Sequence, residues 1–436
     1  MPNPLRVITD NFKNLVANLN TDRDKQAGGY YSLALMTDQQ WSLIYRTSWM
    51  GRKVVDIPAN DATRKWREWS AESDQIELIE AEEKRLKIQQ KVKLALQQAR
   101  LFGGSGIYFS INGDDPELPL ELNTIKQGSI DFATVLSRDI LVPGEIQLDP
   151  LSEHYGRPMW YQVSGDKTGV QIIHPSRLCI FVGNEILTPQ EIVGAHQGWG
   201  DSVLQSAYEA VRNADSTATN IASLVYESKI DVLQIPDLGN IMANPKHRQL
   251  LEERVVLSGQ LKGNNGMLII DGEETYSQKN FAFAGLPEIS YQALQAVSGA
   301  ADIPLTRFLG QSPGGLNSTG DSDLKNYYDS VNSMQTLIMT PTLFHLDEAI
   351  IRSALNDRPK DVYYQWSSLW QMSDEQKSKI SKETAETIKI LADCGLFMDA
   401  DLANAAANVL IEHSILPSFE FTEADTTEEE ENDDAI

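Results

Sequence analysis

The chain has 436 residues, 41% of them hydrophobic and 23% charged, a globular composition with room for about two or three domains. No apolar run approaches the roughly 18 residues of a membrane-spanning helix, so no membrane partner is expected. The net charge of −25 argues against a sequence-independent nucleic-acid binder, which needs a basic face to displace counterions from phosphates.

Residues 1–29 lack the continuous apolar core of a signal peptide. They end in the polar stretch TDRDKQAGG and read as a flexible arm of a cytoplasmic product. Residues 38–48 and 50–66 read as short helices broken by Pro58. Residues 73–101 read as one long amphipathic helix. Ile76, Ile79, Leu86, Ile88, Val92, Leu94, Leu96 and Leu101 fall at helical spacing, and Gly103-Gly104 is its stop. GIYFSING, residues 106–113, reads as a strand closed by a turn at Asn112-Gly113. Residues 130–190 carry β-branched and aromatic residues between Gly and Pro. They predict a small antiparallel sheet, and with the helices before it an α+β lobe.

The pattern changes after Gly200. Residues 201–229 predict one helix with small residues at Ala207, Ala210, Ala214, Ala218 and Ala222. IDVLQIPD then reads as a strand, residues 244–261 as a helix and GMLIIDG as a second strand. A shorter helix within 288–309 ends at Ile303-Pro304. The segment 311–320 is rich in Gly and small polar residues. It leads into a long helix over 321–358 that Pro341 should bend. Residues 373–395 predict another helix, with Ser373 and Gln376 as a capping box and Gly395 as its stop. The end, FEFTEADTTEEEENDDAI, holds nine acidic residues and no basic one, the composition of a disordered tail.

No motif for catalysis emerges. GQSPGGLNSTG has no lysine after its glycines, so it is not a phosphate-binding P-loop. Asp321 and Asp323 at the following helix start would repel an anion. An adaptable loop is the better reading. LFGGSG reads as a helix-to-strand turn. The six histidines, His154, His174, His196, His247, His345 and His413, include no metal-ligand spacing. A two-histidine phosphoesterase needs two HxT or HxS motifs. His174-Pro175-Ser176 is a single match, and it reads as the opening of a strand. Cys179 and Cys394 match no metal or disulfide pattern and read as buried free thiols. RKWREW, residues 64–69, could stack on single-stranded bases, but a subunit contact or half-buried helix is the simpler reading. Lys246, His247, Arg248 and Lys262 form a local basic cluster in an acidic chain. No cofactor, metal or catalytic residue is expected.

Two long stretches, SWMGRKVVDIPANDATRKWREW and ADIPLTRFLGQSPGGLNSTGDSDLKNYYDSV, together with GSGIYFSI and HPSRLCIFVG, resemble the phage portal proteins. The resemblance runs from about residue 40 to residue 400. It implies a ring of about a dozen copies at one capsid vertex, through which double-stranded DNA is packaged and ejected. It implies an α+β portal fold: a wing over 30–200, a stem helix over 201–229, a small α/β clip over 230–280 and a second stem helix within 281–310. A tunnel loop over 311–320, a kinked wing helix over 321–358, a helical crown over 359–415 and the acidic tail over 416–436 complete it.

By position, Gln311, Ser312, Pro313, Gly314, Gly315, Leu316, Asn317, Ser318 and Thr319 would form the tunnel loop. Lys246, His247, Arg248 and Lys262 would fall in the clip, where the packaging motor docks. The implied partners are other copies of the chain, the DNA, the terminase large subunit, the major capsid protein, and head-completion and tail proteins. The implied location is the virion, after assembly in the host cytoplasm. Some relatives carry an added anti-CBASS phosphodiesterase domain of the two-histidine type; with one half-motif, that activity is not expected here. A capsid or adaptor protein without a channel is the other alternative.

Overall fold

The computed structural model describes residues 36–165, 169–187, 197–226, 229–265, 275–280, 283, 285–310, 321–370 and 374–394. The expected arm, tunnel loop and acidic tail, the strand over 266–272, Ser373, Gly395, His196 and His413 lie outside them, as does the crown beyond residue 394. The chain divides into two compact units, Met1–Trp366 and Ser367–Ile436.

The first unit opens with helices α1 (Asp38–Thr47) and α2 (Trp49–Arg64). Thr37 and Gln40 close a capping box on α1, satisfying two otherwise orphaned N–H groups. Ser48 ends α1 with its N–H on the Ile44 carbonyl and caps α2 through its hydroxyl, which accepts from Gly51. The expected break at Pro58 does not occur: α2 runs through it, with Pro58 buried inside. A mid-helix proline leaves the carbonyl four residues back without its donor. Here that carbonyl is Val54, and it accepts from Arg100 Nη2 at 2.8 Å, while Val55 accepts from Arg100 Nε at 3.1 Å. The arginine replaces the missing donor. Its burial lowers its pKa to about 10.

The predicted single helix over 73–101 is two, α3 (Ser73–Leu86) and α4 (Ile88–Phe102), joined at Lys87. Lys87 adopts a left-handed conformation, φ 55°, and its N–H returns to the Glu83 and Lys84 carbonyls. No Gly or Pro marks this corner. Gly103 and Gly104 do end α4 as expected. A Cβ on Gly103 would lie 2.1 Å from the Gly200 carbonyl oxygen, and one on Gly104 2.1 Å from the Trp199 ring. The turn is therefore fixed by the close approach of a distant segment.

Strands β1 (Arg67–Ser70), β2 (Gly104–Ile111), β3 (Ile130–Ser137), β4 (Leu141–Pro143), β5 (Tyr161–Gly165), β6 (Gly169–Ile173) and β7 (Leu178–Val182) build the α+β lobe. Two three-stranded sheets form, in the orders β3-β2-β7 and β4-β5-β6, and all pairings are antiparallel. This bears out the predicted antiparallel sheet and the α+β class. α4 packs on β2 and α2, burying Ile107, Phe109 and Phe181 with Val92 and Leu96. Leu141, Tyr161, Ile173, Leu178 and Trp199 form a second core cluster.

Helix α5 (Leu204–Tyr226) follows and is shorter than expected. Ala207 and Ala214 are buried, and Ala218 and Ala222 are exposed. β8 (Lys229–Gln234), α6 (Leu238–Ala243), α7 (Pro245–Asn265) and β9 (Thr275–Asn280) come next, with β8 and β9 paired antiparallel. α8 (Leu286–Ala300) packs against α5, and α9 (Leu305–Leu309) is a single short turn.

The long helix expected over 321–358 is continuous over 321–355 but changes type. α10 (Asp321–Met334) passes into a π-helical turn, Gln335–Met339, and then α11 (Thr340–Leu355). The wide turn lies just before Pro341. The Thr340 hydroxyl and N–H both return to the Gln335 carbonyl. Tyr327, Val331, Gln335, Met339 and Leu343 are all buried, at a spacing of four residues. A regular α-helix drifts about 40° at each such step; the wide turn offsets that drift.

β10 (Tyr363–Trp366) pairs with β1, and Arg67 lies at their junction. Its guanidinium is buried between Glu83 of α3 and Asp347 of α11, with Nη1–Oδ1 2.5 Å to Asp347. It also lies over the rings of Tyr364, Trp69 and Trp66, 4.5, 4.8 and 5.3 Å from their centroids. The indoles of Trp66 and Trp69 donate to Glu83. The RKWREW stretch is thus the end of α2 and the start of a half-buried strand, and not an exposed stacking platform. Cys179 is a buried free thiol as expected, but Cys394 is exposed: it follows the second unit's α12 (Asp374–Asp393). Pairs such as Lys379–Glu383 lie on the surface of α12.

One guanidinium faces two buried carboxylates, so Asp347 holds its proton longer. Burial, aided by Glu83 and opposed by Arg67, pushes its pKa up from 3.8 to about 6. The folded state then binds this proton more tightly than the unfolded one. The contribution of Asp347 to stability is therefore greatest below about pH 4 and is lost as pH rises toward 6. Denaturant unfolding of the wild type and of Asp347→Asn across pH 4–7 should show it. The difference between them should slope by up to about 1.4 kcal/mol per pH unit and flatten above the upper value.

Candidate functional site

The expected tunnel loop, 311–320, is bracketed by α9 and α10. Both brackets are tied to Asp61, a buried acid near the C-terminal end of α2. The Asp61 side chain is 1% exposed. Arg307 of α9 grips it with both arms, Nε–Oδ2 at 3.0 Å and Nη2–Oδ1 at 2.9 Å. The Tyr327 hydroxyl of α10 donates to Oδ2 at 3.0 Å. Arg64, one turn on, adds a contact at 3.3 Å and lies over the Tyr328 ring. Burial, then Asp61, raise the Tyr327 phenol well above its ordinary range, so it stays a donor. The bond to Asp61 is also the largest cause that raises Arg307. A buried carboxylate needs such partners. Here they come from both sides of one segment, so its borders meet at a fixed point.

Two further links secure the first border. Gly310 ends α9 in a left-handed turn, φ 71°, its N–H on the Thr306 carbonyl. Lys53 of α2 donates to the Phe308 carbonyl and lies over the rings of Trp49 and Phe308. The Phe308 side chain is fully buried. The sequence reading missed Asp61, Arg307, Tyr327 and Lys53. The available signal was an acid among the apolar residues of VVDIPANDAT.

The second expected site lies on α7. Lys246, His247 and Arg248 are exposed on its first turn, and Lys262 belongs to the same helix. Arg248 makes a loose pair with Glu252 at 3.7 Å. Leu250, Val255, Val256 and Leu257 of this helix are 53–63% exposed. The basic residues thus adjoin apolar surface, which isolated charges on a solvated helix do not require.

His174 is structural. Its Nδ1 accepts from the Ser176 N–H and lies 2.8 Å from the Ser176 hydroxyl, which in turn accepts from the Leu120 N–H. The HPSR stretch forms a single 3-10 turn that opens β7, as read from the sequence. Among the described residues no group of acids, histidines or cysteines is arranged to hold a metal. A groove of about 390 Å³ between α1 and α5, lined by Ile44, Tyr208, Arg212 and Asp215 among others, contains none of the residues singled out from the sequence.

A family model described as phage portal protein matches residues 39–390. The chain belongs to the phage portal protein family. A protein of Caulobacter sp. (strain RHG1) named anti-CBASS protein Acb1 is 39% identical over 426 residues, covering 94% of this chain and 68% of that one. A second of the same name, from Sphingomonas paeninsulae, is 36% identical, covering 95% of this chain and 67% of that one. Among solved structures, a chain in the neck of a native gene transfer agent particle computed with C12 symmetry is similar. It is 13% identical with a TM-score of 0.48, covering 87% of this chain and 96% of that one. The portal family match spans both units and both brackets of the 311–320 segment.

The Asp61 junction makes a sharp expectation. Tyr327→Phe removes one hydrogen bond to a buried charge and nothing else, at a cost of about 1.5–3 kcal/mol. Denaturant unfolding should show a lower midpoint with an unchanged slope.

Proposed function

We propose that this portal chain is a structural conduit. About twelve copies form a ring at one capsid vertex, and double-stranded DNA passes through it during packaging and ejection. The observation that carries this reading is the Asp61 junction within a portal-family chain. It holds the two borders of 311–320 on the body of the subunit, as a loop that meets a moving duplex requires. Residues Gln311 to Thr319 are the tunnel loop in this reading. The wing, stem, clip and crown follow the boundaries given from the sequence.

The charge supports a conduit. Twelve copies at −25 each carry about −300, a field that repels phosphates. A channel needs weak contact, since phosphate neutralisation dominates nucleic-acid affinity. No catalytic step is assigned: His174 is committed to its turn. The relatives' names describe whole proteins of which this chain spans about two thirds.

Energy for packaging must come from a partner, because the chain has no P-loop. The exposed first turn of α7, with Lys246, His247 and Arg248, is where the terminase large subunit or head-completion proteins dock. The major capsid protein and tail proteins surround the ring in the virion.

Electron microscopy of the purified protein tests the ring. Top views should show closed rings of about twelve subunits with a hole wide enough for a duplex. Monomers and dimers at high concentration would favour an adaptor without a channel. Lys246→Glu/Arg248→Glu rings should assemble normally but lose motor binding and packaged DNA; normal packaging by this variant would remove α7 from the docking surface.

A further inference from the structure

The turn that opens β7 is built around an acceptor that one proton removes. His174 caps the 3-10 turn Pro175–Arg177, and its Nδ1 accepts from the Ser176 N–H at 3.2 Å. An imidazole accepts only when neutral, since both ring nitrogens carry hydrogen in the cation. The Ser176 hydroxyl lies 2.8 Å from the same nitrogen and accepts from the Leu120 N–H at 2.8 Å. Its hydrogen on Nδ1 leaves its oxygen facing Leu120.

This turn holds the segment 114–120 at further points. The His174 N–H donates to the Pro116 carbonyl at 2.8 Å. Arg177 Nε donates to the Leu118 carbonyl at 2.8 Å, and Nη2 pairs with Asp114 at 3.2 Å. The far end of the same β2–β3 connection is held elsewhere: Gly128 donates to the Ser353 carbonyl of α11 at 2.9 Å.

The surroundings disfavour the cation. Burial lowers the His174 pKa from its ordinary 6.5, and Arg177, His154 and His345 lower it further. Arg177 belongs to the same turn, and His154 lies in the connection between β4 and β5. His345 reaches in from α11. It is half-buried, its Nδ1 has no partner among the described residues, and Glu348 is the acid that acts on it. β2 and β7 also pack on the turn and contain no Asp, Glu, Lys, Arg or His.

We infer that the HPSR turn is a proton-sensitive latch for residues 114–120: neutral His174 holds it closed, and a proton on Nδ1 opens it. In the cation Nδ1–H confronts the Ser176 N–H, so the ring turns away. The Ser176 hydroxyl then loses the acceptor that orients it toward Leu120. The folded state binds this proton less tightly than the unfolded chain. The latch is therefore at full strength above about pH 6.5 and is lost as pH falls through the lowered folded value. This trend is opposite to that of Asp347, so the two are separable.

The test is native-state hydrogen exchange of the full-length protein from about pH 7.5 to pH 5, corrected for intrinsic rates, with Leu120 read against Gly128. In the wild type, protection of Leu120 should fall by about tenfold per pH unit below the folded value, while Gly128 stays protected. His174→Asn keeps an acceptor for the N–H two residues on but does not titrate; its Leu120 protection should stay high throughout. In His174→Ala it should be low and flat. Wild-type protection of Leu120 that does not change with pH overturns the proposal. So does a fall retained by His174→Asn, which would assign it to His154 or His345. A parallel fall at Gly128 also overturns it, since the event would then be general acid unfolding. If His174→Ala does not fold, the wild type against His174→Asn decides alone.

Discussion

The first unit is organised around the buried guanidinium of Arg67. Arg67 ties the strand after α2 to Glu83 on α3 and to Asp347 on α11, 280 residues away in the chain. Three aromatic rings surround it. Removing one partner from such a group is costly because it leaves another charge buried alone. The β1–β10 pairing and the docking of α11 on α3 share this neighbourhood. Position is set here by matching charges, and the apolar packing around them fills the space that results.

Helix α2 repeats the device twice. Asp61 collects Arg307 and Tyr327 from the two borders of 311–320. Arg100 reaches from α4 to the carbonyls that Pro58 leaves open. Three polar contacts thus connect α2, β1 and their partners to segments far along the chain. Each involves a buried charged group, and each would be expensive if half made. The expected channel loop therefore has both of its borders tied to α2.

The sequence made much of the local structure legible. The glycine stop of α4, the β-rich stretch over 130–190 and the long helix before residue 358 all came from spacing and turn chemistry. Two readings failed. Pro58 looks like a breaker until Arg100 supplies a donor from 42 residues on. Lys87 turns the chain without Gly or Pro, an exposed residue in a left-handed conformation that propensity disfavours, between the buried Leu86 and Ile88. The RKWREW stretch reads from sequence as a subunit contact or a half-buried helix; that Arg67 is buried follows from Glu83 and Asp347, which no local pattern pairs with it. Asp61 was visible only as an acid in apolar company. Lys246 and Arg248 lie on a helix start, and the docking role proposed for them rests on family position alone.

The wide turn at 335–339 has a consequence for how this region can change in length. It works as an intercalated day does in a calendar: one surplus unit keeps two cycles of unequal period aligned. The buried residues recur every four positions from Tyr327 to Leu343, while a regular helix repeats every 3.6. Without the surplus, everything on the N-terminal side would rotate about 100° relative to α11. Tyr327 would then swing away from Asp61, and one border of the 311–320 segment would lose its anchor. The count of residues in this turn is thus tied to a hydrogen bond two helical turns away. Substitutions within it are limited by size and polarity, but insertions and deletions are limited by phase.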